Sequence, residues 1–246
     1  MGQLIRVGKC AAVAWLLLCA GGAVAAERPD LTGVWTNAGG PGIGGATNTA
    51  ASALPFTPWG QARVQAYQKL TGGTDDSPGA WCVGTGMPGS MLGSGGYPME
   101  FIQRPEQITI VYEAHSEIRR VYFGDRNAAQ PDRVPGRNGY SSGRWEGDVL
   151  IVETDNLADQ VDQRTPHSDE ATIVERYKLD GKDAQGRRIL AVEMTMTDPK
   201  FYTKPVTLQK RWAQVPNGRV LPYECPEERW LDRIDEMAKK AGVPLP

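Results

Sequence analysis

Histidine is scarce in this chain: His115 and His167 are the only two in 246 residues. They lack the paired spacing of a zinc site, and nothing around them asks carboxylates to complete one. No metal and no cofactor is therefore expected. An excess of one charge is missing as well. With 27 basic and 29 acidic residues the formal charge is −2, and there is no basic tract, so the electrostatic footprint of a nucleic-acid-binding protein is absent. Cysteine is limited to four residues. Beyond the first 26 residues no apolar run approaches the roughly 20 residues that a membrane-spanning helix needs.

The N-terminal stretch accounts for the one apolar run there is. Arg6 and Lys9 precede an apolar segment from Cys10 to Leu18, followed by small residues from Ala20 to Ala26. This is the layout of a cleavable secretory signal peptide, with Ala23-Val24-Ala25 as its cleavage signal. The run is too short for an anchor across about 30 Å of hydrocarbon. The bulky Leu18 before Cys19 disfavours a lipoprotein. The expectation is a signal peptide over 1–25, a single domain over 26–246, a periplasmic or secreted location, and no integral membrane segment after cleavage. Cleavage removes two basic residues and no acid, which moves the formal charge from −2 to −4. It also removes Cys10 and Cys19. Cys82 and Cys225 remain, an even pair in an oxidising compartment and so expected to form a disulfide, with two buried thiols as the alternative.

The mature chain reads mainly as strands. A first strand lies at 30–35, then a Gly-rich loop at 38–49. Thr57-Pro58 looks like an N-cap and first helical position, opening a helix with Trp59, Ala62, Ala66, Tyr67 and Leu70 near one face. An irregular loop follows at 72–97. Strand candidates then come at 99–103, 107–113, 117–123, 148–154, 171–179, 189–197 and 206–213, separated by turn residues. Such a meander closes as a barrel or packs as a sandwich. A final amphipathic helix starts at Pro226, carries Trp230, Leu231, Ile234, Met237 and Ala238 as its apolar stripe, and is capped by Gly242. The fold class is all-β with flanking helices.

Several strands carry charge beside apolar residues. Glu175 shares a side with Ile173 and Tyr177, and Glu153 with Val149 and Ile151. Arg120 lies with Ile118 and Tyr122, while Arg119 lies with Val121 and Phe123. Alternation sends one set of each inward, where a charge needs a partner. It is either ligand machinery in a cavity or a structural ion pair of Glu175 or Glu153 with an arginine. Two motif matches fail on context. Gly139-Tyr140-Ser141-Ser142-Gly143 fits G-x-S-x-G but lacks the strand before and the helix after it. Gly84-Thr85-Gly86-Met87-Pro88-Gly89 fits G-x-G-x-x-G but has neither required flank.

The stretch Gly139-Tyr140-Ser141-Ser142-Gly143-Arg144-Trp145-Glu146-Gly147-Asp148 resembles the signature of a large, mostly uncharacterised family of secreted bacterial proteins, G-[HY]-S-x-G-R-W-E-G-D. His167-Ser168, Glu175-Arg176-Tyr177, Asp198-Pro199 and Tyr223-Glu224-Cys225 extend the similarity. Gly124-Asp125-Arg126-Asn127 departs from it, lacking a histidine that relatives carry. The resemblance implies a lipocalin-like antiparallel barrel with a C-terminal helix. It also implies a cofactor-free lyase that couples decarboxylation to C–O cleavage in lignin-derived aromatic acids. The alternative is a non-catalytic carrier of small hydrophobic or aromatic ligands. The expected partner is in either case a small aromatic or hydrophobic molecule, with the oligomeric state left open, a homo-oligomer included.

An arginine can grip a carboxylate at two points, and a Tyr or His can move a phenolic proton. Tyr140, Arg144, His167 and Glu175 are the candidate catalytic residues. Arg120, Tyr112 and Tyr122 are the candidate substrate contacts, and His115 and Glu153 are held in reserve. Each has a structural reading beside the chemical one. Arg144 to Asp148 in particular reads equally as a tight turn with a salt bridge and a packed indole. Tyr140, Arg144 and His167 are expected near one mouth of the barrel, although counting strands puts the first two and the last on opposite rims.

Overall fold

The computed structural model describes residues 1–2, 28–38, 54–71, 78–93 and 96–242. All but the first two residues of the expected leader, and nearly all of the Gly-rich loop, lie outside them. Nine strands close into a barrel in sequence order: β1 (Gly33–Asn37), β2 (Met99–Gln103), β3 (Gln107–Tyr112), β4 (Glu117–Tyr122), β5 (Tyr140–Glu146), β6 (Val149–Asp155), β7 (Thr172–Lys182), β8 (Arg188–Thr197) and β9 (Val206–Val215). This is the lipocalin-like all-β fold with flanking helices. Seven expected strands match within a few residues. The first runs slightly later than read.

β5 had no counterpart in the sequence reading, because Ser141-Ser142-Gly143 is weak strand material and the motif reads as a turn. Its presence changes the barrel. Every neighbouring pair is antiparallel except β4 and β5, which run parallel and share only Val121↔Ser141 and Tyr122↔Ser142. A parallel pair needs a long crossover, supplied here by residues 123–139. Gly143 makes the close packing at this seam feasible, since a Cβ there would lie 2.7 Å from both Val121 and Phe123 side-chain atoms.

The two longer helices form where their signals lie. Thr57 Oγ1 accepts from the Gly60 amide at 3.0 Å and Pro58 opens α1 (Pro58–Leu70). The buried contact of α1 differs from the expected stripe. Gly60 packs against Phe201 and Val64 joins the core, whereas Trp59 and Leu70 stay exposed. A short helix α2 (Gly89–Gly93) lies in the segment read as irregular. α3 (Cys225–Ala241) ends at Gly242, whose positive φ of 63° caps it. Leu231 and Met237 on its apolar stripe remain exposed.

One continuous apolar core lies inside the barrel, with Trp35, Phe101, Tyr177 and Trp212 among its largest buried side chains. The strand ends that meet at Asn37, Tyr112, Glu117, Tyr140 and Thr172 form one end of the barrel. Segments 78–93 and 156–171 cover it. Glu117 ties down the first, accepting from the Thr85 and Gly86 amides at 3.1 and 3.0 Å and from Ser90 Oγ at 2.6 Å. Cys82 and Cys225 are bonded, with Cα atoms 5.6 Å apart and a sequence separation of 143.

The bridge holds α3 to the body of the protein. Closing a loop of that length is worth up to about 5 kcal/mol in the chain-entropy model. In a Cys82→Ser/Cys225→Ser variant, limited proteolysis should cut α3 first, while the far-ultraviolet circular dichroism of the barrel persists. Loss of the sheet signal together with α3 would show that the bridge secures the barrel itself.

Candidate functional site

The barrel interior holds charge in two places, and they differ in kind. The first is Arg119, fully buried on β4. Val121 and Arg119 face inward, so Arg120 points outward and is exposed. The expectation that Arg120 lines the barrel is therefore corrected. Ile118 and Tyr122 offered an apolar face as good as that of Val121 and Phe123, and only barrel closure chose between them.

Arg119 meets Glu175 of β7 through both terminal nitrogens, with the Nη1 contact at 3.0 Å. Its Nε donates to Ser141 Oγ at 3.0 Å and its Nη2 to Thr154 Oγ1 at 2.7 Å. Tyr177 Oη lies 3.5 Å from Nη1 and donates to Glu175 at 2.6 Å. Glu175 is thus inside, as read, and in the structural ion pair given as one of its two alternatives. Burial opposes the charge on Arg119, and Glu175 and Tyr177 more than restore it, holding the guanidinium above its ordinary pKa. Burial, then Glu175, raises Tyr177. All five guanidinium N–H groups are engaged, so none is left for a substrate carboxylate. Tyr112 faces the same guanidinium. Burial is the largest influence on its hydroxyl and raises its pKa, while the nearby Arg119 opposes.

The second place is the wall formed by β9 and β1. Lys210 is 2 % exposed, yet its Nζ has no hydrogen-bond partner among the described residues. It lies 5.1 Å from the centre of the Trp212 ring. Trp212 Nε1 is buried and unpartnered too, and so is Oδ1 of Asn37, the direct cross-strand partner of Trp212. Two donors and one acceptor therefore sit unsatisfied on three adjacent inward positions. Burial pushes the Lys210 ammonium down from the ordinary lysine range. Buried polar groups are normally paired, so this trio is a candidate ligand position. The sequence contained the signal for Lys210: it stands between Leu208 and Trp212 in a strict alternation. Asn37 falls beyond the strand as it was read.

The remaining candidates are placed elsewhere. Arg144 is on the outer face, bonded to Glu153 and, at 3.0 Å, to Glu146; those two acids raise its pKa. Glu153 is likewise outside. The turn, salt bridge and packed indole offered as the alternative for Arg144 to Asp148 are what the hairpin contains. Tyr140 and Tyr122 stack at 5.3 Å on the outer face, under the Arg133 guanidinium, and the Tyr140 hydroxyl accepts from the Ala128 amide at 2.6 Å. His167 is fully buried, with Nδ1 3.0 Å from the Ser168 carbonyl and Nε2 3.0 Å from that of Met87. It does share an end of the barrel with Tyr140, because the extra strand β5 reverses the parity count. The expected cluster nonetheless fails to assemble: Arg144 and Tyr140 face out, and His167 is tied to backbone. Ser168 instead donates to Asp198, through its amide at 2.6 Å and its hydroxyl at 3.0 Å. His115 lies in the β3–β4 turn, half-buried against Tyr223 at 4.9 Å, where burial lowers its pKa and Glu117 opposes.

Two predictions separate these places. Breaking a buried pair by removing one partner typically costs about 3–5 kcal/mol, so Glu175→Gln should lower the urea midpoint by a corresponding amount. A loss under about 1 kcal/mol would mean that Arg119 finds another partner. Lys210 works in the opposite sense. Its folded-state pKa is depressed, so between that value and the ordinary lysine range the unfolded chain binds more protons and stability rises with pH. Lys210→Met should therefore stabilise the protein at neutral pH, and the advantage should shrink as pH rises toward 10.5. Denaturation of both forms across this range measures it.

Among the described residues no group of three or more His, Cys, Asp and Glu is placed to hold a metal ion. No protein-family model matches the chain, and no curated protein matches it.

Proposed function

We propose that the protein is exported and takes a small aromatic carboxylic acid into its barrel, against the β1–β9 wall. The observation that carries this is the unpartnered trio of Lys210 Nζ, Trp212 Nε1 and Asn37 Oδ1. A carboxylate supplies acceptors to the two donors and the charge that lets Lys210 stay protonated. A phenol or hydroxyl on the same ligand supplies a donor to Asn37, and the Trp212 ring supplies an aromatic surface. Arg144, the carboxylate anchor expected from the sequence, has no place in this reading.

The role as a carrier is favoured by the commitment of every Arg119 donor. The role as a cofactor-free lyase is supported by one observation, the inward-facing Tyr112 hydroxyl, which can hydrogen-bond the oxygen of a departing phenolate.

Calorimetric titration with 4-hydroxybenzoate and related phenolic acids tests the reading. A buried, charge-assisted contact contributes about 1.5–3 kcal/mol, so Lys210→Met should weaken binding by roughly 10- to 100-fold. Arg144→Ala should leave it unchanged. Equal affinity in the wild type and Lys210→Met would overturn the site. Chromatography of the titrated acids then divides the roles: new products mark a lyase, and unchanged acids mark a carrier.

A further inference from the structure

Lys210 differs from the other lysines of the described chain in the state of its nitrogen. Lys178 and Lys200 make surface ion pairs with carboxylates, and Lys69, Lys182, Lys204, Lys239 and Lys240 are exposed. Lys210 alone is buried. An ammonium is held in a protein interior by a carboxylate or by hydrogen-bond acceptors, and among the described residues Lys210 Nζ has neither. It lies 5.1 Å from the centre of the Trp212 ring.

We propose that Lys210 is also a covalent site for aromatic aldehydes, which it binds as a reversible imine. The nitrogen lone pair attacks the carbonyl carbon, forming a C–N bond while the carbonyl electron pair moves to oxygen. One N–H proton passes to that oxygen, giving a carbinolamine. The C–O bond then breaks, the second N–H proton leaves with the oxygen as water, and the C=N bond forms. Amine and aldehyde give imine and water, with no change of oxidation state and no co-reactant. The neighbouring groups suit both stages. The Trp212 indole N–H can donate to the oxygen as charge builds on it, and Asn37 Oδ1 can accept from the carbinolamine hydroxyl. Burial of Lys210, by lowering its hold on a proton, supplies the free amine that the attack needs.

This inference shares its wall of the barrel with the proposed acid site but needs a different property, a neutral amine in place of an ammonium. The full chain is incubated at neutral pH with 4-hydroxybenzaldehyde, reduced with borohydride, and examined by intact mass and peptide mapping. One saturable adduct is expected on the peptide carrying Lys210. It should form faster than the adduct on any exposed lysine. Lys210→Arg, which retains charge and cannot form the imine, should abolish it. Adducts spread over surface lysines, with Lys210 unmodified, would overturn the inference. Its failure is separable from that of the acid reading. If Lys210 is unmodified but 4-hydroxybenzoate still binds and Lys210→Met loses it, only the imine is overturned. If Lys210 is modified and no acid binds, the imine stands without the acid site.

Discussion

The weakest joint of this barrel is the parallel seam between β4 and β5, where two register pairs do the work that five to eight do between most neighbours. The Arg119 cluster sits across that seam on the inside. From β4 it reaches Ser141 on β5, Thr154 on β6 and Glu175 on β7. Four consecutive strands are thereby fixed in register by one guanidinium. On the outside the Tyr122–Tyr140 stack spans the same seam. A buried ion pair adds little net stability over apolar packing. Its value here is that sliding β5, β6 or β7 past β4 breaks a contact that Arg119 makes. Closure, register and the choice of inward residues follow from that constraint.

The same completeness disqualifies the cluster as a place for substrate. Catalytic and binding groups must have capacity left over, and Arg119 has none. The β1–β9 wall is the reverse case, with three polar groups buried at a cost and no return within the described chain. The contrast between a satisfied and an unsatisfied interior charge moves the candidate site from the sequence motif to a lysine that no motif marks.

The motif residues are occupied with architecture. Arg144 and Glu146 brace a hairpin, Ser168 and Asp198 staple the segment before β7 to the one after β8, and His167 joins that segment to Met87 across the covered end. A sequence motif can mark what holds a fold together, and here Tyr140, Ser141, Arg144, Glu146 and Asp148 all have structural partners.

Period-two alternation, turn residues and the Thr57-Pro58 and Gly242 signals were enough to read an all-β chain, most of its strands and both longer helices, because these depend on local sterics and on the apolar pattern. With Cys10 and Cys19 read as part of a leader, Cys82 and Cys225 were the pair expected to bond, and they do. What the sequence could not carry was the choice between two equivalent faces of β4, the existence of β5, and therefore the end at which each loop lies. Those depend on closure, which compares partners far apart in the chain. Arg119 and Arg120 are neighbours of the same chemical type, and nothing local distinguishes them. Only closure of the barrel, whose register sets Arg119 and not Arg120 against Glu175, decides which is buried, and the same long-range accounting leaves Lys210 without a hydrogen-bond partner among the described residues.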